Sequence, residues 1–205
     1  MSRSHPVAGV ALAVTLAACS AATRARPGSV PAAATTVPTA PPTTTAPSTT
    51  STTVDPGSLP QTSQLPSADD PAFRARLADL WQGITAGDPS LAPASFFPLQ
   101  AYIQVKGISD PVHDYQTRLM PNFDQDIMAV HTQLGADPES AVLTGVTVPT
   151  AQWITPGVEY NKGSYWRVLG AEVGYLANGR AGSFEIHSMI SWRGEWYVVH
   201  LGPIR

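Results

Sequence analysis

Cysteine is almost missing from this chain. Its 205 residues contain one, Cys19, so no intramolecular disulfide can form. Aromatic residues are absent from the first 72 positions: all five Trp, six Tyr and five Phe lie at or beyond Phe73. Residues 20–68 hold hardly any large apolar side chain of any kind. A stretch so poor in apolar groups cannot offset its own ordering entropy, which leaves 69–205 as the expected folding unit. Those 137 residues are long enough to bury a core without metals or disulfides. Positive charge is scarce as well. From 69 onward, 9 Lys+Arg stand against 14 Asp+Glu, a formal charge of −5, with no basic stripe. That argues against a nucleic-acid partner and against the folded domain adhering to anionic lipid.

What is present begins at the amino terminus. Arg3 and His5 make a mildly basic start, and Val7 to Ala18 is an uncharged apolar run of twelve residues. About 20 are needed to span a bilayer, so the run fits the apolar region of a signal peptide rather than a transmembrane helix. It ends in Leu16-Ala17-Ala18-Cys19. This tetrapeptide resembles the bacterial lipobox, whose cysteine receives diacylglycerol before cleavage on its amino side. The resemblance implies a signal peptide over 1–18, lipid on Cys19, and a protein held on the extracytoplasmic face of the cell membrane. One acyl chain anchors only marginally and two hold stably.

Residues 19–68 then read as a disordered linker rich in Pro, Thr, Ala and Ser. Proline removes backbone donors and fixes φ, which favours extended segments over helix or sheet. Such a tether reaches about 150 Å fully extended and about 40 Å as a coil. Its Ser/Thr-with-Pro composition is also that of O-glycosylated stalks.

In the domain, Asp69-Asp70-Pro71 supplies a helix start, and Phe73, Leu77, Leu80, Trp81 and Ile84 recur at helical spacing up to Gly87. Ala101–Lys106 is predicted as a short strand. A second helical region opens at Ser109-Asp110-Pro111 and runs to Gly135, with Pro121 predicting a kink or two abutting helices. Beyond Ala141 the period shifts toward two. Strands are expected over 141–148, 164–177, 182–192 and 195–202, with hairpin turns at Asn178-Gly179 and Arg193-Gly194. In a simple two-residue hairpin at Arg193-Gly194, His187 faces His200. One face then carries Phe184, Ile186, Ile190, Tyr197, Val199 and Leu201 against the helices. Glu185, His187, Met189, Ser191, Trp196 and His200 form a mixed face, solvated or an interface.

Helices followed by a curved antiparallel sheet make an α+β domain. The order and size of elements over 69–205 resemble the NTF2-like (cystatin-like α+β) fold, in which a pocket lies between a long helix and the concave sheet. Asp114–Leu119, Glu159–Gly163 and Ser191–Gly202 also look like segments of uncharacterised actinobacterial lipoproteins, a likeness that implies no particular activity.

Among residues able to carry chemistry, Asp126 falls on the apolar helix face beside Tyr115, Phe123 and Val130. A carboxylate desolvated there suits a general acid or base; a helix-start carboxylate or a paired one is the plainer alternative. His187 and His200, with Glu172 or Glu185, are weighed as a two-His-one-carboxylate metal site, but no His-x-His or Glu-x-x-His spacing supports it and no metal or other cofactor is expected. Tyr115, Trp166, Tyr175, His187 and His200 are the pocket or interface candidates. No Gly-x-Ser-x-Gly elbow and no phosphate-cradling loop occurs. The lack of a recognisable catalytic set favours a non-enzymatic module that binds an envelope protein or a small apolar ligand, or that dimerises through its sheet. The alternative is a small pocket enzyme of the isomerase or dehydratase type, with Asp126 as base.

Overall fold

A computed structural model describes residues 55–204. The expected signal peptide over 1–18, Cys19 and most of the expected linker over 19–68 lie outside the described residues. Five times the chain opens a helical turn with an aspartate followed by proline. Asp137 before Pro138 makes no side-chain bond to its turn. At the other four, Asp55-Pro56, Asp70-Pro71, Asp88-Pro89 and Asp110-Pro111, the side chain caps the turn, accepting a backbone N–H from Gly57, Ala72, Ser90 and His113 respectively. Proline supplies the helical φ where no N–H is needed, and the aspartate satisfies one of the orphan donors.

The first long helix, α1 (Pro71–Ala86), buries Phe73, Leu77, Leu80 and Ile84 and ends at Gly87, whose φ of 63° closes it. Ala101–Lys106 is not a strand. Leu99–Val105 forms a short helix, α2, that buries Ala101, Tyr102 and Val105 on one side. A six-residue apolar run satisfies both periods, and tertiary packing chose the helical one. The second helical region is continuous but irregular: α3 (Pro111–Asp114), a π turn over Tyr115–Leu119, and α4 (Met120–Gln133). Pro121 sits at the start of α4. The wide turn ahead of it accommodates a residue that offers no N–H to the preceding turn, in place of a sharp kink.

The sheet comprises β1 (Val142–Thr147), β2 (Gln152–Ile154), β3 (Tyr165–Ala177), β4 (Arg180–Trp192) and β5 (Glu195–His200). All pairings are antiparallel, in the order β1-β3-β4-β5, with β2 on β3 beside Tyr165–Arg167. The molecule is therefore α+β. The short β2 has no counterpart among the expected strands. Both hairpin turns form as expected: Asn178-Gly179 and Arg193-Gly194 have φ of 52°, 72°, 54° and 80°, and Ala177 pairs with Arg180 and Trp192 with Glu195.

Two irregularities curl the sheet and reassign its faces. Val168 and Ala171 are both fully buried although three residues apart, as are their partners Met189 and Ile186. A regular strand alternates, so both strands change face together at Gly170 (φ 72°) and His187. In β5, Met189 lies opposite Val198 but Ser188 opposite His200, which leaves Val199 as an extra residue. The expected separation into a helix-packed face and a mixed face therefore fails beyond His187. Met189, Ser191 and Trp196, assigned to the mixed face, are fully buried, while Trp196 and Val198 stand with Ile186 beside α1.

The packed chain also starts before Asp69. Donors from the domain bind carbonyls of residues 56–63: Trp192 Nε1 to Pro56 O at 2.9 Å, Gln104 Nε2 to Gly57 O at 2.7 Å, and Trp166 Nε1 to Ser63 O at 3.0 Å. Gln61 clasps the β4–β5 turn, donating to Ser191 O at 2.8 Å and accepting from Arg193 N at 2.6 Å.

Candidate functional site

The curl leaves a cavity of about 240 Å³ between α2 and the sheet, lined by Tyr102, Val105, Lys106, Glu159, Tyr165, Arg167, Leu169, Ser188, Ile190, Val199, His200 and Ile204. Strand register assembles its floor. Arg167 pairs with Ile190, Leu169 with Ser188, and Ser188 with His200, so one row runs Leu169–Ser188–His200 across three strands. The extra residue Val199 brings the last member in. Without it Ser188 would face Val199, and the 2.8 Å contact between Ser188 Oγ and His200 Nδ1 would not form.

The wall opposite β3 is a loop shaped by the buried Asn161. Its amide donates to Thr155 O at 3.0 Å and Gly163 O at 2.8 Å, and its carbonyl accepts from Glu159 N at 3.0 Å. Backbone bonds from Gly107 to Tyr160 and from Lys162 to Val105, both 2.7 Å, fasten this loop to the end of α2. Glu159 is thus held with its carboxylate on Arg167 and on the Tyr165 hydroxyl, which donates at 2.7 Å. Its backbone carbonyl accepts from Lys106 Nζ at 3.1 Å.

The electrostatics are uneven. Tyr102 donates to Asp114 at 2.5 Å, and Asp114 is held by Arg118 at 2.7 and 2.8 Å. The Arg118 guanidinium keeps the Asp114 carboxyl below its usual range, and burial, aided by Asp114, pushes the Tyr102 hydroxyl up. Burial also raises Tyr165, to about 12. Arg167 has Glu159, and Arg118 has Asp114. Lys106 has no carboxylate within ion-pair distance among the described residues; burial and then Arg118 lower its ammonium pKa, while Asp114 raises it. Burial first, then the cations Arg118 and Lys106, hold the His200 imidazole down to about 4, so it is neutral at physiological pH. Its Nε2 is buried with no hydrogen-bond partner among the described residues.

Of the residues singled out from the sequence, His200 alone lines this cavity. Tyr115 is one layer behind, 5.6 Å from the Tyr102 ring, with its hydroxyl on Phe97 O at 2.9 Å. Asp126 is 7% exposed and accepts from Gly202 N at 2.8 Å; its charge acts on His200. Trp166 packs on Trp153 at 5.1 Å, beneath the segment around Ser63. Tyr175 packs on Trp81 and Phe184 at the far end of the sheet. His187 lies 3.3 Å from Glu185 and does not face His200, because the extra residue in β5 shifts the register. No three His, Cys, Asp or Glu side chains among the described residues are grouped to hold a metal. The sequence reading missed Lys106, Glu159 and Arg167, three charges on three separate segments.

A larger concavity, about 450 Å³, opens between α1 and β1. Its only charged groups, Asp69 and Arg74, are exposed and pair with each other at 2.5 Å. The smaller cavity is the better candidate because polar groups converge in it from five segments, α2, the Asn161 loop, β3, β4 and β5, beside apolar side chains.

Among the described residues no helix is long and apolar enough to cross a membrane. Compared with models of protein families, with curated proteins and with solved structures, the chain matches none.

Proposed function

We propose that this chain is a lipid-anchored protein of the cell envelope, displayed on a tether, whose NTF2-like domain binds a small ligand without transforming it. The location is supported by the run Val7–Ala18 ending at Cys19, the only cysteine. The binding role rests on one observation, the cavity bounded by Tyr102, Lys106, Glu159 and His200. At about 240 Å³ it is just below the ~300–1,000 Å³ usual for ligand pockets, so its occupant is small. Val105, Ile190, Val199 and the mouth residues Leu169 and Ile204 offer apolar surface for the body of such a molecule. Asp126 as a general base is the weaker reading, since one carboxylate oxygen already accepts from Gly202 N.

Two experiments test the two halves. Cys19→Ser is expected to release the chain from the membrane fraction; retention as tight as before contradicts the anchor. For binding, 1-hexanol is titrated into the purified full chain and followed by backbone amide NMR. Saturable shifts at Ile190, Val199 and His200 are expected, and Ile190→Phe, which places a ring in the cavity, should abolish them. Absence of saturable shifts, or shifts unaffected by Ile190→Phe, would overturn the binding role.

A further inference from the structure

The charges around the cavity do not cancel. Arg167 is held by Glu159, and Arg118 by Asp114. The hydroxyls of Tyr165 and Tyr102 are directed to those same two carboxylates. Lys106 is left. Its ammonium carries three donors, and one of them is used, on the backbone carbonyl of Glu159. The Glu159 carboxylate cannot serve it as well, because Asn161 and the loop turn that group to Arg167 and Tyr165. The Asp114 carboxylate acts on Lys106 only through space and is itself held by Arg118. The half-buried ammonium therefore has no carboxylate in contact, and the group as a whole keeps one excess positive charge, an unfavourable arrangement in the empty domain. An anion in the cavity removes the penalty.

We infer that the cavity takes a small monocarboxylate with an aliphatic body, its carboxylate on Lys106 and its chain along Val105, Ile190 and Val199. This inference rests on the binding role proposed above and specifies the ligand class. One unpaired positive charge calls for a monoanion; a phosphate dianion would leave a second charge buried without a partner. The volume holds about eight waters' worth of liquid at ~30 Å³ each, enough for a short chain and too little for a long-chain lipid or a peptide. The rim is apolar on two sides, with Leu169 50% and Ile204 62% exposed, so an aliphatic chain can leave water as it enters. Neutral His200 beside Ser188 adds no competing positive charge at physiological pH. Burial first, then the Arg118 cation, lowers the Lys106 pKa against the opposing pull of Asp114, and an anion in the cavity acts in the opposite sense to both.

The test compares hexanoate with 1-hexanol, probes of equal chain length that differ in the charged head. Both are titrated at neutral pH into the full chain, into Lys106→Met and into Lys106→Arg, with inorganic phosphate as a competitor. Hexanoate is expected to bind the natural chain about tenfold more tightly than 1-hexanol, equivalent to about 1.4 kcal/mol. Lys106→Met should erase that preference, and Lys106→Arg should retain it, since charge persists. Should hexanoate bind no better than 1-hexanol, or keep its advantage in Lys106→Met, the carboxylate assignment is wrong although the binding role stands. Equal competition by phosphate would also refute a monocarboxylate. If neither probe binds, the binding role itself fails and the ligand class falls with it.

Discussion

Removing the Asp126 carboxylate should loosen the carboxyl-terminal end of the domain. Asp126 projects from α4 and is almost completely buried, and its Oδ2 accepts the Gly202 N–H at 2.8 Å just past the end of β5. That hydrogen bond joins residues 76 positions apart and secures the backbone that follows His200 and Leu201. In Asp126→Ala the Gly202 donor, in a half-buried site, loses its acceptor. Losing a hydrogen bond to a charged group there costs about 1.5–3 kcal/mol. For a domain of this size each kcal/mol moves Tm by about 2–4 °C, so Tm should fall by about 3–12 °C. Asp126→Asn keeps an acceptor and should lose about half as much. The close approach has a second consequence. A Cβ at Gly202 would lie 2.5 Å from Asp126 Oδ1, so Gly202→Ala should itself destabilise by about 1–3 kcal/mol. Combined with Asp126→Ala it should cost less than the sum, because the clashing atom is gone. Thermal unfolding of the original chain and the four variants, followed by circular dichroism, measures all of this. An Asp126→Ala chain that melts within 1 °C of the original, or strict additivity with Gly202→Ala, would refute the reasoning.

His200 and Gln61 carry two further expectations. Burial holds the His200 imidazole at about 4 in the folded protein, against about 6.5 in the unfolded chain. Arg118, Lys106 and His187 oppose its protonation and Asp126 favours it. Between those values the unfolded chain binds more protons, so this contribution to stability is complete above about pH 6.5 and is lost as pH falls toward 4. His200→Gln should flatten the denaturation midpoint between pH 6.5 and 4.5, and an unaltered slope would count against it. Gln61→Ala removes both bonds to the β4–β5 turn and should lower stability by about 1–2 kcal/mol in urea titrations. No change would mean that the segment before Asp69 does not brace the sheet.

Much of the architecture was legible because it follows from local chemistry. The Asp-Pro helix starts, the three- and four-residue stepping from Phe73 to Ile84 and the two Xaa-Gly hairpin turns each act within a few residues, and each is found where the residues place it. What escaped depends on partners distant in sequence. The segment around Gln61 contains almost no apolar side chain, so composition marks it as linker; it packs because Trp166, Trp192 and Arg193 donate to its carbonyls and its side chain. Tyr102 and Val105 fit a strand or a helix equally well, and their burial against the domain decides the matter. The pairing of His187 with His200 assumed an unbroken ladder. One extra residue, Val199, invisible to a period-two pattern, substitutes Ser188 for His187. The cavity was the least legible feature of all, since Lys106, Glu159 and Arg167 meet only after α2, the Asn161 loop and β3 have come together.

The most direct test of the account is to find where a small aliphatic acid sits on the full chain. Uniformly ¹³C-labelled hexanoate is added to the protein, and nuclear Overhauser contacts from the probe are assigned to protein methyl groups. Contacts to Val105, Ile190 and Val199, lost in Ile190→Phe, are the expected result. Contacts to Leu77, Leu143 and Val146 instead would place the ligand in the wider groove between α1 and β1 and contradict the assignment.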